Sequence, residues 1–561
     1  MRRSWLYVVL TAALAVAVAV WAVPHLDGDP TTKVWIEGND LLAVSLATHV
    51  DSLSAQVLLL AVGVGLLVQI YSTAYLGHHP RYRSYALVIV LFLLGMIAVV
   101  VADDLFVLLI GWEVMGLCSY LLIGHEWQTP IARSGAAKAF LMTRIADLGL
   151  LVGILAIGQT YGTYRISEVL AQEPKNSTAI GLLLLVAVVG KSAQFPLHTW
   201  LPDAMPGPTP ITALIHAATM VAAGVYLVAR LLPILEPSEL VMTLLAVISA
   251  ITMLLGALFA LVQTDLKRAL AWSTVSQLAF MFAALSVGDS DAGTDHLLSH
   301  GAFKALLFLG CGCVMHAVGS SALSAMGGLR LRMPVTFWTM TIGFAALAGV
   351  IPTVGFFTKD SVLHALEHGR DEGPLPGGIA VAVFCVALVT SFLTAAYATR
   401  LWLLAFLAPA AEGRTEPHEA PRAMTGPLIV LAVATFALSI GQPFHLGIGL
   451  LSTAVAVAGI GAVLARWRRG RSLDLAAPWL VAELALDRPY SRWIPAGLRS
   501  SARAVVDVDR DGIDAYSYGS ASTAQVASRV LGLVQSGNVQ RYATVIAAGV
   551  IVVTAAAVIW T

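Results

Sequence analysis

The chain has 561 residues, of which 58% are hydrophobic and 12% are charged, and this composition excludes a soluble globular protein. The formal net charge is zero, so no nucleic-acid partner is indicated. Continuous apolar runs of about 20 residues match membrane-crossing helices, whereas the strands of an outer-membrane barrel alternate polar and apolar residues. The sequence therefore predicts an all-α polytopic protein in a lipid bilayer.

Runs of spanning length recur about fifteen times along the chain. The predicted spans are 5–23, 48–76, 84–102, 104–125, 133–159, 178–208, 209–232, 238–263, 268–287, 296–318, 334–368, 377–408, 424–441, 446–466 and 542–560. The first run could also belong to a signal peptide, because Arg2 and Arg3 precede it. Since no clear small-residue cleavage site precedes Asp27, a transmembrane helix is favoured.

Two of the runs, 178–208 and 334–368, are too long for a simple crossing and contain internal prolines such as Pro196 and Pro352. Proline interrupts the hydrogen bonds of a helix. Backbone that breaks inside a membrane must be buried in protein or line a wet cavity, and matching breaks in two halves are typical of an ion site. We therefore predict two structurally related repeats, each with one broken helix.

The spans and breaks divide the chain into six segments. These are N-terminal helices (1–83), a first repeat (84–232), a second repeat (238–408), additional helices (409–466), a linker with a long amphipathic helix (467–541) and a final span (542–561). The linker is more polar than the rest, and its last part, 500–539, predicts a helix that lies along the membrane surface. An irregular loop is the alternative, because glycines weaken the helical pattern.

Basic residues concentrate in alternate connections between the spans. If the N-terminus is cytoplasmic, one set of connections contains most of them, including Arg81, Arg133 and Arg466, whereas the other set carries acidic residues such as Asp289. Cytoplasmic loops are enriched in lysine and arginine. We therefore expect a multi-pass protein of the inner (plasma) membrane with its N-terminus in the cytoplasm and its C-terminus outside.

Ionisable residues lie inside several otherwise apolar runs, namely Glu113, Lys191, Lys304 and Lys359. A charge at bilayer depth is unfavourable, so such a residue indicates an ion or proton pathway. A buried lysine can also change charge when a neighbouring carboxylate moves. We interpret these residues as parts of a proton path, with Lys191 as the best candidate for the proton carrier of the first half.

Three further residues have two interpretations each. His216 is either a satisfied core histidine or a relay that receives a proton from Lys191. Asp147 follows Arg144 by three residues and is either fixed in an ion pair with it or part of the path. Lys267 follows a span end and either points inward or belongs to a solvated turn.

The spacing of His296, His300 and Lys304 places them on one face of a helix. Three titratable groups on one face of an apolar span predict a proton wire. A metal site would need more ligands opposite them, and the sequence shows none at usable spacing. Lys359 and Asp360 follow the second break. Their position mirrors that of Lys191, which precedes the first break.

Several stretches carry a resemblance to a known family: GWEVMGLCSYLLIG (111–124), GKSAQFPLHTWLPDAMPGPTPITALIHAATMVAAGVYLVAR (190–230), DLKRALAWSTVSQLAFM (265–281), HLLSHGAFKALLFL (296–309) and GFFTKD (355–360). They resemble the antiporter-like subunit L, or subunit 5, of proton-pumping NADH:quinone oxidoreductase (complex I). The resemblance extends from about Asp51 to the C-terminus and is most specific up to residue 408. Family members usually begin with one more apolar helix than is found before Asp51. Either this chain lacks that helix, or its true start lies upstream.

The resemblance implies two inverted five-helix repeats and a role for each titratable residue. Glu113 and Lys191 would form an input pair, and Lys359 would be the lysine on the exit side. The central hydrophilic axis would consist of His216, His296, His300 and Lys304.

The resemblance also implies that the chain is a proton-translocating membrane-arm subunit whose lateral helix contacts other membrane-arm subunits. The sequence contains no dinucleotide, flavin, haem or cluster motif. We therefore expect this chain to bind no cofactor and its partner subunits to bind NADH, flavin, iron–sulfur clusters and quinone. Mrp-type sodium/proton antiporters, membrane-bound hydrogenases and inorganic-carbon uptake complexes contain similar chains. These remain alternatives, together with a stand-alone sodium/proton antiporter and an assembly scaffold.

Overall fold

The computed structural model describes residues 4–38, 44–369, 373–411, 416–475 and 477–560. They form two compact units, Met1–Leu484 and Ala485–Thr561. Within the described residues, 12 helices are long and apolar enough to cross a membrane, which confirms the predicted all-α polytopic class. Three shorter apolar helices accompany them: Ser177–Lys191, Pro334–Ala348 and Arg422–Ala437.

The first unit begins with helices and one strand hairpin. These elements are α1 (Ser4–Ala22), β1 (Thr31–Ile36), β2 (Leu46–Val50), α2 (Ser52–Tyr75), α3 (Tyr82–Val101), α4 (Leu105–Ile123), α5 (Pro130–Tyr161) and α6 (Ile166–Leu170). The predicted start of a span at residue 48 is wrong, because the antiparallel β1–β2 pair includes that residue. The side chain of Asp51 accepts a hydrogen bond from the Ser54 backbone N–H at 2.8 Å and caps α2.

The first broken segment contains α7 (Ser177–Lys191), α8 (Trp200–Asp203), α9 (Thr209–Ala217) and α10 (Ala222–Leu235). The break predicted near Pro196 is confirmed, because α7 ends at Lys191. The predicted span over 209–232 is confirmed as Thr209–Leu235, although residues 218–221 interrupt its helix. Here the Thr219 hydroxyl donates to the Leu214 carbonyl at 2.7 Å, and such side-chain bonds compete with helical ones.

The rest of the first unit surrounds the second broken segment. It contains α11 (Glu239–Val262), α12 (Leu266–Ser286), α13 (Ser290–Val318), α14 (Pro334–Ala348), α15 (Val354–His368), α16 (Gly377–Trp402), α17 (Arg422–Ala437), α18 (Leu446–Arg468) and α19 (Pro478–Val481). The break predicted near Pro352 is confirmed between α14 and α15. Gly349 ends α14 with a φ of 79°, a left-handed conformation that glycine adopts without steric cost.

The second unit contains α20 (Arg488–Asp507), α21 (Ala515–Val534) and α22 (Val539–Trp560). A π-helical turn, Val508–Asp514, joins α20 to α21, so 488–534 is one continuous helix. This confirms a long helix before the final span and excludes the irregular loop over these residues. It begins earlier than expected because Pro489 lies in the first turn, where the missing N–H of proline has no helical partner to lose.

The helix ends of the first unit lie at two faces. The rings of Tyr7 in α1 and Tyr82 in α3 are 6.2 Å apart, and the ring of His125, just after α4, lies 5.1 Å from Tyr85. We call this side, where α1 begins, the near face. The β1–β2 hairpin and the connection after α5 lie at the opposite, far face. Between the faces, α13 packs against α9, α12, α14, α15 and α17.

Candidate functional site

Lys191 is fully buried at the last residue of α7, directly before the first break. Its Nζ lies 3.4 Å from Asp147 Oδ2 and donates to the Trp112 carbonyl at 3.1 Å. The indole N–H of Trp112 donates to the other Asp147 oxygen at 2.6 Å. Both oxygens of Asp147 are therefore engaged, and its negative charge stabilises the buried ammonium.

Arg144 connects this pair to Glu113. Its guanidinium forms an ion pair with the Glu113 carboxylate and donates to the Glu113 carbonyl at 3.2 Å. Its Nη2 also lies 3.6 Å from Asp147 Oδ2. A guanidinium can contact two carboxylates at once because its five N–H donors point in fixed directions.

The direct Glu113–Lys191 pair implied by the resemblance is therefore not found among the described residues. The two side chains are joined through Arg144 and Asp147 instead. The proposed fixed pair of Arg144 with Asp147 exists, but Lys191 shares the carboxylate. We call these four residues, Glu113, Arg144, Asp147 and Lys191, the input chain.

Gly116 provides the space in which the two cations of the input chain approach each other. A Cβ atom at this position would collide with the guanidinium of Arg144 and would lie 3.4 Å from Lys191 Nζ. An added Cβ would therefore displace the guanidinium, and the position that Arg144 takes beside α4 depends on glycine here.

The two interruptions of the first broken segment contact each other. The Ser192 hydroxyl, in the first break, donates to the carbonyl of Val221, in the second, at 2.8 Å. His216 lies in the last turn of α9, before the interruption that contains Val221, and its ring packs against Phe308 of α13 at 4.8 Å. Among the described residues, neither ring nitrogen of His216 has a hydrogen-bond partner, which argues against a satisfied core histidine.

The predicted titratable face of α13 is buried as a whole. His296 has Nδ1 3.0 Å from the Thr358 hydroxyl of α15 and Nε2 3.3 Å from Gln277 Oε1 of α12. The ring of His300 lies near the backbone carbonyl of Ala217, the residue that follows His216. The histidines of α13 therefore extend from the end of α9 to the start of α15.

Lys304 completes this face and has no carboxylate partner in the described part of the chain. Its Nζ donates to the Ser273 hydroxyl at 2.6 Å and to the Leu270 carbonyl at 3.3 Å. The Ser273 hydroxyl in turn lies 2.7 Å from the Tyr397 hydroxyl. These hydroxyl groups could not be identified from the sequence, because serine and tyrosine are common in apolar spans.

Lys359, at the second break, donates through Nζ to the Leu347 carbonyl at 2.5 Å. Leu347 lies in the last turn of α14, where the break leaves carbonyl groups without helical partners. Asp360 is directed elsewhere: its Oδ2 accepts hydrogen bonds from the backbone N–H of His445 at 2.9 Å and lies 3.1 Å from that ring's Nδ1. Adjacent in sequence, Lys359 and Asp360 thus have separate partners.

Lys267 points inward, which decides between its two interpretations. The ammonium donates to the carbonyls of Met205 and Gly207, at 2.7 and 2.5 Å, in the turn between α8 and α9. The side chain lines a cavity of about 910 Å³ at the near face. Other charged residues that line this cavity are Glu126, Lys138, Asp203, Asp265 and Arg268.

An ion-pair network lies beside the near-face cavity. Arg268 contacts Asp203 Oδ1 at 3.0 Å and Glu483 Oε1 at 2.7 Å, and Lys138 contacts Asp203 Oδ2 at 2.5 Å. Trp272 also donates to Glu483 at 2.8 Å. Arg268 therefore ties Asp203, the last residue of α8, to the polar linker that contains Glu483, a partner that sequence spacing could not indicate.

A second polar cavity, of about 570 Å³, lies at the far face. It is lined by the turn between α12 and α13 and by the end of α15, including Asp289, Asp291, His364 and His368. The buried titratable groups thus lie between two polar cavities, one at each face of the first unit.

Two family models match the chain. The model described as "NADH:quinone oxidoreductase/Mrp antiporter, TM" matches residues 102–370, and that of the N-terminus of complex I chain 5 matches residues 35–86. A solved structure of the Mrp complex from Dietzia sp. DQ12-45-1b is similar, with a TM-score of 0.76 and 30% identity over 93% of this chain and 60% of that chain.

Curated relatives are similar over most of the chain. NADH-quinone oxidoreductase subunit L of Mycobacterium tuberculosis is 43% identical over 72% of this chain, and the match spans 64% of the relative. Chloroplastic NAD(P)H-quinone oxidoreductase subunit 5 of Chaetosphaeridium globosum is 40% identical over 79% of this chain and 67% of the relative. The chromatophore NAD(P)H-quinone oxidoreductase subunit 5 of Paulinella chromatophora is 35% identical over 94% of this chain and 89% of the relative. The chain therefore belongs to the antiporter-like subunit L/subunit 5 family of the NADH:quinone oxidoreductases and Mrp antiporters.

Proposed function

We propose that this chain is a proton-translocating membrane-arm subunit of an NADH:quinone oxidoreductase, and that it acts as part of a translocase. One observation carries the proposal: a series of titratable groups, buried from Asp147 onward, runs from the partly exposed Glu113 to Lys359 and includes a lysine at each broken helix. The polar cavities at the two faces support it, because protons need aqueous access at both ends of such a series.

The input chain is the element that responds to a charge change arriving from a neighbouring subunit. Glu113 is partly exposed, with 35% of its side chain accessible, so a partner can act on it. A change at Glu113 moves Arg144, and Arg144 competes with Lys191 for Asp147. At an effective dielectric of about 20, lengthening the Lys191–Asp147 contact from 3.4 Å to about 7 Å weakens the attraction by about 2.5 kcal/mol. This is more than a tenfold change in the protonation equilibrium of Lys191.

The proton released by Lys191 passes to the central groups. His216 has two ring nitrogens without hydrogen-bond partners in the described part of the chain, and His300 lies beside the residue that follows it. A neutral imidazole accepts a proton on one nitrogen and releases one from the other. Lys304 stores the charge among hydroxyl groups, and His296 leads towards Lys359 through Thr358.

Protons are taken up at the near face and released at the far face. Lys267 borders the near-face cavity and replaces protons that leave the central groups. Lys359 is the last lysine of the series, and Asp360 with His445 lies on its far side, one helical turn before the residues that line the far-face cavity.

Partner subunits perform the redox chemistry and bind NADH, flavin, iron–sulfur clusters and quinone, whereas this chain binds no cofactor. The helix 488–534 lies along the membrane and contacts other membrane-arm subunits. The near face is cytoplasmic and the membrane is the inner (plasma) membrane, which the distribution of basic residues supports.

The test is proton translocation by the assembled complex in proteoliposomes. Lys191→Ala is expected to abolish most translocation while NADH oxidation with an artificial acceptor and assembly persist. Lys175→Ala, which removes an exposed lysine in the connection before α7, is the matched control and leaves translocation unchanged. An unchanged proton-to-electron ratio in the Lys191 variant would contradict the proposal, as would transport that requires sodium.

A further inference from the structure

The far-face end of α15 carries three residues with metal-ligating side chains, His364, Glu367 and His368. Their spacing of three and four residues places them on one face of the helix. One ligand atom from each of the three lies within 4.8 Å of the others. This cluster lies outside the series of groups assigned to proton transfer, and we call it the far-face triad.

One hydrogen bond indicates which ring nitrogen of His368 is available to a metal ion. Its Nδ1 lies 3.1 Å from the His364 carbonyl oxygen, and only a protonated nitrogen can donate to a carbonyl. Nε2 therefore carries the lone pair and is available to an ion, in the manner of metal-binding histidines whose other nitrogen is held by a backbone carbonyl.

The ring of His364 is held by a neighbour from another element. His445, directly before α18, stacks on it with ring centroids 3.5 Å apart and an interplanar angle of 12°. His445 is itself held through its backbone N–H and Nδ1 by Asp360. The orientation of one ligand of the far-face triad is therefore connected to the carboxylate beside Lys359.

The surroundings favour a cation and give it access. His364 and His368 line the far-face cavity together with Asp289 and Asp291, and these acidic residues attract positive ions. The side chains of the far-face triad are only partly buried or exposed. A site of this kind has the access route that metal binding requires and leaves positions open for water.

The ligand types indicate the class of ion. Two imidazoles and one carboxylate suit zinc and related divalent transition metals, whereas calcium and magnesium prefer sites made of oxygen atoms alone. Two histidines with a glutamate between them on one helix is also a spacing found in zinc sites.

We infer that the far-face triad binds one divalent transition-metal ion of the zinc class, and that the bound ion slows proton release past Asp360. The second part rests on the proposed proton-translocating function. Its reason is electrostatic: His364 lies one helical turn after Asp360, so the ion adds positive charge where a proton must leave.

The binding test is a titration of the full chain in detergent with Co²⁺, which absorbs visible light when coordinated by protein, followed by competition with Zn²⁺. We expect one saturable ion per chain. His364→Ala, Glu367→Gln and His368→Ala should each weaken binding at least about tenfold, the loss that follows removal even of a group that only orients a ligand. His316→Ala is the matched control, because it removes one ring of a histidine pair at the near face, His316–His418, whose centroids are 6.0 Å apart.

Absence of saturable binding would overturn the site, and so would equal affinity in the three variants and the original chain. The second part is tested in proteoliposomes of the assembled complex, with Zn²⁺ enclosed in the lumen, where the far face lies. We expect the original complex to lose most of its proton translocation and the Glu367→Gln variant to lose none of it. Translocation that persists with Zn²⁺ bound overturns the effect on release but not the site. If zinc-free vesicles translocate no protons, the proposed function fails, and the titration still decides the metal site.

Discussion

The two broken helices each place a fully buried lysine beside the break, but the surroundings of the two lysines differ. Lys191 has the Asp147 carboxylate at 3.4 Å, and Arg144 connects that carboxylate to Glu113. Lys359 donates to a single backbone carbonyl, that of Leu347, and among the described residues no carboxylate pairs with it. Its neighbour Asp360 is engaged with His445 instead.

Because their surroundings differ, the two lysines are suited to different tasks. A carboxylate carries a full negative charge and stabilises a buried ammonium strongly, and its effect changes when other cations compete for it. A carbonyl at a helix end carries only a partial charge. The first lysine is thus suited to respond to a signal from a partner subunit, and the second is suited to release a proton towards the far face.

The largest expected effect on stability is at Lys191. Lys191→Met leaves Asp147 buried with Arg144 as its remaining cationic neighbour, and removing one partner of a buried ion pair typically costs about 3–5 kcal/mol. We expect a loss of this size in the free energy of unfolding, measured by denaturation of the full chain in detergent. Lys175→Met serves as the exposed control, and a loss below about 1 kcal/mol, the range of exposed ion pairs, would remove the distinction between the two lysines.

Crowding of the input chain should have an intermediate effect. Gly116→Ala forces the Arg144 guanidinium to move, and overpacking of this kind costs about 1–3 kcal/mol. Gly63→Ala is the matched control, because an added Cβ there meets no heavy atom within 4 Å, and alanine stabilises a helix relative to glycine by up to about 1 kcal/mol. Thermal unfolding of both variants checks this, and equal stability of the two would show that the close approach is not required.

The smallest effect on stability is expected at Lys359. Lys359→Met removes a buried cation without leaving a carboxylate unpaired, and replacing buried charged groups with apolar ones is often neutral. We expect the unfolding free energy to stay within about 1 kcal/mol of the original chain, while proton translocation is lost. If the unfolding free energy falls as far as it does in the Lys191 variant, Lys359 also depends on a counter-charge.

Charged residues and prolines inside apolar runs can be identified from the sequence alone. A lysine or glutamate inside a run of leucine, valine and isoleucine stands out, as do the prolines near both breaks. The spans, the two broken segments and the buried positions of Lys191, Lys304 and Lys359 could therefore be predicted. The interruption at 218–221 could not, because those residues include no proline or glycine.

The connections through space were also beyond the sequence. The bridge through Arg144 depends on how α4, α5 and α7 pack, and a spacing of three residues indicated only its contact with Asp147. The far-face triad is visible as a His-Ala-Leu-Glu-His string, but polar residues are ordinary at the end of a span and it did not stand out. Glu483 contacts Arg268 from a distant linker, which no local pattern indicates.

If the charge of Glu113 reaches Lys191 through a single arginine, a substitution at Arg144 must interrupt the coupling. The measurement is the proton-to-electron ratio of the complex in proteoliposomes with Arg144→Met, with the exposed Arg133→Met on the same helix as control. We predict that the ratio falls as far as it does with Lys191→Ala, while the control keeps the original value. An unchanged ratio in the Arg144 variant would mean that the link between Glu113 and Lys191 lies elsewhere.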